Sequence, residues 1–408
     1  MKSFFTLTFC LCLVHYSSGQ SDSQSWQLPK PSGKHKIGTY LWQLTDCARK
    51  EPLDKDKSCR ELAVRVWYPA LVSKNVQPIP YFDGYDLSQI APYLAQSGIK
   101  MESIQSIGSI KTNSYPDQPV AKKKKLPVIL LGHGYGLSLP ELHTSIAEEL
   151  ASQGYLVLGV NRPYESIATV LEKSTVYLDA AQYEKSINSI FANAGQLAGL
   201  PGLADDKARK KVLGEVIGSL DMMNERLYEW VKDYQLVIDH LEASNGDQGS
   251  RWHKKLDLDK IGVMGHSFGG TSAVQLLLDD ARVKSAVNLD GLQMGNIYSR
   301  TLDKPVMMVS SKVYQGLSDS AFEGLAGPVH LIHPGDQMTF HNAYTDMVLW
   351  PDSFFTDRKT AIGQVDGQAF KRMNLDLALA FFKQTLKGKT ADLSKVLKAY
   401  DQIKQVDN

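Results

Sequence analysis

The second half of the chain alternates short unbroken apolar runs with amphipathic stretches. Leu126-Pro127-Val128-Ile129-Leu130-Leu131 is apolar at every position, as expected of a strand covered on both faces. Pro140 to Ser152 places Leu142, Ile146 and Leu150 at helical spacing, and Gly154 supplies a stop. Tyr155 to Val160 is the next strand, so the three segments predict a right-handed βαβ unit. The stretch from about 166 to 244 reads as helix-rich. Its second half, Asp221 to Leu241, carries Leu227, Trp230, Tyr234, Val237, Ile238 and Leu241 near helical period. Its first half is an insertion with no chemistry to read. Strand rhythm returns at 260–265, 283–289, 305–310 and 329–333. Strands alternating with helices predict an α/β fold around a mostly parallel sheet.

The first third has a different pattern. Glu61 to Pro69 alternates apolar and polar residues and ends in proline, which suits an antiparallel strand opening an otherwise parallel sheet. Residues 84–110 predict a short helix and loops. Their apolar points Tyr93, Leu94 and Ile99 form either a packed helix face or a contact with a lipid surface. No internal repeat or long linker interrupts the chain.

Composition narrows the class. The 408 residues are 43% hydrophobic and 22% charged, with 45 Lys and Arg against 44 Asp and Glu. So even a balance gives no reason to expect a nucleic-acid partner. Lys2, the apolar run Phe4 to Val14 and the small polar residues Ser17-Ser18-Gly19 have the order of a secretory leader spanning residues 1–19. Residues 20–408 would then be one secreted domain. Removing the leader takes away Cys10 and Cys12, leaving Cys47 and Cys59 as a candidate disulfide in an oxidising compartment. No further Cys or paired His lies beside them, so no metal site is expected there. The run Lys122-Lys123-Lys124-Lys125 reads as a solvated loop, with lipid-headgroup contact as the alternative. No Asn-x-Ser/Thr acceptor is present.

The chemistry is concentrated in Gly265-His266-Ser267-Phe268-Gly269-Gly270, which follows a predicted strand and precedes a predicted helix. That context defines a nucleophile elbow, where glycines let strand and helix approach and the turn lifts Ser267 Oγ above the sheet. A serine hydroxyl needs a base to take its proton. Three histidines follow the elbow. His330 and His333 belong to a predicted strand, whereas His341 lies in the loop beyond it and is the preferred base. Asp290, directly after the strand ending at Leu289, is the preferred acid. Asp319, after the following strand, is the alternative. The oxyanion requires two backbone donors. Phe268 and Tyr135, the latter within Gly132-His133-Gly134-Tyr135-Gly136, are placed to provide them. His133 reads as a turn residue packed beneath the site.

These residues resemble the secreted platelet-activating factor acetylhydrolase family and related bacterial hydrolases. The likeness is carried by His133-Gly134-x-Gly136, Ala151-Ser152-x-Gly154-Tyr155 and Gly265-His266-Ser267-Phe268-Gly269-Gly270. It continues in Asp280-x-Arg282-Val283 and Asn288-Leu289-Asp290-Gly291, and runs from about 60 to 390. The resemblance implies a single α/β-hydrolase domain with its acid after the sixth strand, which favours Asp290 over Asp319. It also implies Ser267 as nucleophile, His341 as base, and Phe268 and Tyr135 as the oxyanion hole. The implied activity is calcium-independent hydrolysis of short or oxidised acyl groups at the second glycerol carbon of phospholipids, with no cofactor. Such substrates make a phospholipid or other small ester the expected ligand and a lipid surface or lipoprotein the candidate partner. The segments after Tyr164 and at 84–110 match the family poorly. A general short-chain carboxylesterase, or an inactive binding protein on the same fold, are the competing expectations.

Overall fold

The computed structural model describes residues 26–121, 125–200, 205–311, 317–334, 339–389, 392–400 and 404–406. The expected leader and the lysines at 122–124 lie outside them. A long hairpin of β1 (Lys36–Lys50) and β2 (Cys59–Ala70) opens the fold. It is followed by α1 (Leu87–Gln96), α2 (Ile104–Ser109) and the short β3 (Ser114–Pro116). The βαβ unit appears as β4 (Leu126–Gly132), α3 (Thr144–Ser152) and β5 (Leu156–Asn161), with a 3-10 turn at Pro140–His143 leading into the helix.

The insertion differs from its expected start. Residues 166–179 hold a small hairpin, β6 (Ala168–Val170) with β7 (Thr175–Tyr177), rather than helix. The β-branched pairs Thr169-Val170 and Thr175-Val176 favour extended backbone. Helices begin only at α4 (Ala180–Phe191) and continue through α5 (Ala194–Gly199), α6 (Asp206–Gly218) and α7 (Asp221–Gly246). The chain then runs through β8 (Leu256–His266), α8 (Phe268–Asp279), β9 (Val283–Leu289), β10 (Val306–Val309) and β11 (Val329–His333). It closes with α9 (Arg358–Ile362), α10 (Gly367–Lys387), α11 (Asp392–Ala399) and β12 (Lys404–Val406).

Among the described residues, ten strands form one sheet in the order β12-β11-β10-β9-β8-β4-β5-β2-β1-β3. The six from β11 to β5 run parallel, while β2 and β12 pair antiparallel at their two sides. Alternate side chains of each central strand feed opposite layers, as the two-residue strand period requires. Ile129, Leu131, Met264, Val287 and Met307 face a layer built on α1, α3 and α10. Val128, Leu130, Val263, Ala286 and Met308 face α7 and α8. Each fully buried aliphatic side chain contributes roughly 1.5–3 kcal/mol, so two covered faces explain why these strands are apolar throughout. Leu94 and Ile99 are buried in the first layer and Tyr93 packs against it, which removes Leu94 and Ile99 as lipid contacts.

Cys47 and Cys59 are joined as a disulfide at the turn end of the β1–β2 hairpin. Beside it, Asp233 of α7 is fully buried and accepts from Arg49, Arg60 and Arg162. Burial alone would raise the Asp233 carboxyl, but Arg60 and its neighbours outweigh it and hold the group down at about 2. The Arg162 guanidinium also lies 4.0 Å over the Trp230 ring. Hairpin, helix and the turn after β5 are therefore tied at one charged point.

Candidate active site

Ser267 is the single residue between β8 and α8, and its backbone stands at φ 57°, ψ −126°. A side chain in that region is strained. The strain is held by hydrogen bonds on both sides. The Ser267 N–H donates to Leu289 O at 2.9 Å, and its carbonyl accepts from Gly270 and Thr271 at 2.9 and 3.1 Å. Glycine is required at 269 because a Cβ there would lie 2.5 Å from the Gly132 carbonyl carbon. Strand β4 and helix α8 thus touch backbone to backbone, directly beneath the serine.

Asp290 follows β9 and also has positive φ, at 57°. Asn288 stabilises this turn by accepting the Gly291 N–H at 2.8 Å and donating to the Gly291 carbonyl at 3.0 Å. The Asp290 side chain is fully buried. Its Oδ1 accepts the Ser311 N–H at 2.6 Å and its Oδ2 lies 2.8 Å from His341 Nδ1. A carboxylate beside Nδ1 fixes the proton on that nitrogen and leaves Nε2 as the basic one. His341 opens a 3-10 turn, His341–Tyr344, and remains about one-third exposed. Ser267, Asp290 and His341 line the same cavity.

The other candidates fall elsewhere. Asp319 is 3.0 Å from His333 Nε2, so the alternative acid already has a histidine partner other than His341. His330 lies on β11 with its ring 6.2 Å from Phe381. His133 is fully buried, and its Nδ1 donates to the Gly134 carbonyl at 2.6 Å. Burial, with the Arg162 charge adding to it, pulls the His133 imidazole down to about 3. It is a neutral post under the turn.

A family profile described as platelet-activating factor acetylhydrolase, isoform II, matches residues 20–403. The chain belongs to that family. It is 26% identical to the platelet-activating factor acetylhydrolase of Cavia porcellus over 218 residues, which cover 52% of this chain and 46% of that protein. This match spans less than half of the guinea-pig relative. The dog protein of the same name is 24% identical over 360 residues, covering 77% of this chain and 72% of its own length. Among solved structures, the ferulic acid esterase of Streptomyces cinnamoneus superposes with a TM-score of 0.70 at 22% identity, covering 94% of this chain and all of that one. That likeness shows the α/β-hydrolase fold.

In this family member the turn after β4 lies against Ser267. A Cβ on Gly134 would approach Ser267 Cβ to 3.3 Å. Gly136 has φ +77° and its N–H donates to the Glu165 carbonyl at 2.9 Å, which anchors the turn on the segment after β5. Phe268 is the first residue of α8, where backbone N–H groups have no partner inside the helix. The cavity above is about 860 Å³. Its walls are largely apolar, with Tyr183, Ile187, Ile190, Phe191 and Leu197 coming from the insertion. Two contacts escaped the sequence analysis: the Ser311 N–H on Asp290, and a hydrogen bond from His266 to the His341 carbonyl. Backbone partners leave no residue-type signal.

Proposed function

We propose that this chain is a secreted serine esterase that hydrolyses phospholipids bearing a short or oxidised acyl group at the second glycerol position, without calcium. The observation that carries the reading is the 2.8 Å hydrogen bond from His341 Nδ1 to buried Asp290, in the cavity floored by the strained Ser267. His341 Nε2 takes the Ser267 proton as Oγ attacks the ester carbonyl, and Asp290 stabilises the imidazolium. The Tyr135 and Phe268 N–H groups meet the negative charge on the carbonyl oxygen. The imidazolium returns its proton to the leaving alcohol, and water then releases the acid by the same steps in reverse.

The phospholipid assignment is supported by family membership and by the apolar cavity. Export is supported by the leader-like residues 1–19 and the Cys47–Cys59 bond. Contact with a lipid surface falls to Phe191, which is 68% exposed and lines the cavity, rather than to Leu94 or Ile99. The test is a rate series on phospholipids with acetyl, butyryl, hexanoyl and palmitoyl groups at the second position, with a calcium chelator present. Rates should fall steeply toward palmitoyl and survive the chelator. Hydrolysis of water-soluble short esters alone would instead identify a general carboxylesterase. Failure of Ser267 to react with a serine-directed phosphonate would identify an inactive binding protein.

A further inference from the structure

We propose that His266 is a positioning residue for the base, holding the His341 backbone through its own Nε2–H. The inference rests on His341 being the base. His266 is the last residue of β8, and the strand alternation puts it on the same face as Met264, under the layer that contains residues 343–350. There its Nε2 lies 3.0 Å from the His341 carbonyl oxygen. A carbonyl only accepts, so Nε2 carries the proton. The ring centroid is 4.3 Å from that of His341, and Tyr344 stacks on it at 6.4 Å. One side chain therefore braces the catalytic imidazole by a hydrogen bond to its backbone and by contact with its ring.

The second nitrogen defines the charge state. His266 Nδ1 is buried and has no hydrogen-bond partner among the described residues. A proton there would be a donor without an acceptor, whereas a lone pair is tolerated at lower cost. The surrounding groups point the same way. His341 packs on one side and His143 at 5.5 Å on another, and Lys371 of α10 adds positive charge nearby. Lys371 is itself held 2.8 Å from buried Asp346, and Asp290 faces His341 rather than His266. Burial, then His341 and His143, keep the His266 imidazole well below its ordinary range. An uncharged neighbour lets His341 accept the serine proton without a second cation 4.3 Å away. A residue that merely filled space would satisfy none of these constraints.

The contrast to measure is His266→Gln, whose amide retains an N–H near Nε2, against His266→Phe, which keeps the ring and loses the donor. On a soluble acetyl ester, His266→Phe should lower kcat by about 10- to 100-fold. Its KM should change far less than its kcat, because the ring that remains fills the same place in the cavity wall. His266→Gln should recover most of the rate. Equal impairment of the two, or wild-type kcat in His266→Phe, overturns the proposal. The wild-type protein gives a second reading independent of any variant's folding. With ¹⁵N-labelled histidine, His266 should show a protonated Nε2 and an unprotonated Nδ1 throughout the pH range of activity. A doubly protonated ring at neutral pH overturns the proposal. His341→Ala separates the two levels of the argument. Full activity in that variant removes the base assignment itself, whereas loss there with normal rates in His266→Phe removes only the role of His266.

Discussion

At the scale of single residues, the strongest contrast lies between the two aspartates. Asp290→Asn should reduce kcat by several orders of magnitude, because an amide at Oδ2 favours the wrong imidazole tautomer, about 10⁴-fold in the comparable triad. Asp319→Asn should leave turnover near normal, since its histidine partner is His333. Crippling loss in Asp319→Asn with a nearly normal Asp290→Asn would reverse the assignment. Ser267→Ala should remove nearly all turnover while circular dichroism stays unchanged. Gly134→Ala places a methyl 3.3 Å from Ser267 Cβ and should lower kcat without unfolding the protein. The residues proposed as nucleophile, acid and base could be picked out from sequence because Ser267, Asp290 and His341 each sit just past a recognisable strand or in the loop beyond the last one. The supports of the site could not. His266 contributes through a carbonyl, Ser311 through an amide, and neither partner has a residue signature.

Elements report on the links between them. The Cys47–Cys59 bond closes a short loop whose ends also carry Arg49, Glu51 and Arg60, the last two paired with each other. Reduction should destabilise the protein by about 3 kcal/mol from chain entropy alone. Thermal melting with and without reductant measures it, and an unchanged midpoint would show that the hairpin is held by Asp233 instead. Asp233→Ala leaves Arg60 and Arg162 buried without their shared partner and should cost about 3–5 kcal/mol in denaturant unfolding. Central strands were readable because both their faces are covered, which makes them apolar at every position. β1 was not, since it lies beside the edge strand with many half-exposed positions and no unbroken apolar run. The β6–β7 hairpin was missed because three-residue strands are too short to show a period.

For the whole molecule, buried ionisable groups set the response to acid. His133, His143 and His266 are all held below the ordinary imidazole range, chiefly by burial. Their stabilising effect is present above pH ~6.5 and is lost as pH falls, because the unfolded chain takes up protons that the folded one refuses. Each contributes a slope of about 1.4 kcal/mol per pH unit. Glu148 opposes them. Burial raises its carboxyl to about 7 despite hydrogen bonds from Ser114 and Asn113, so its contribution is full below pH ~4.5 and lost as pH rises through 7. Three buried imidazoles against two buried carboxyls, Glu148 and Glu165, whose pKa burial also raises, leave stability falling between pH 6 and 5. Guanidinium unfolding at those two pH values should show it, and His143→Leu should reduce the slope by about one proton's worth. A flat profile would mean that these rings are charged in the folded state.

The helices that wall the cavity have a consequence for how such a protein diversifies. Helices α4, α5 and α6 lie between Asp179 and Leu220, and the first two supply Tyr183, Ile187, Ile190, Phe191 and Leu197 to the chamber. The proposed nucleophile, acid and base, Ser267, Asp290 and His341, all come from later in the chain. The roof and the reactive floor are thus separate modules joined by two seams. Recombination or grafting at those seams would exchange the range of esters admitted while leaving the reacting atoms in place.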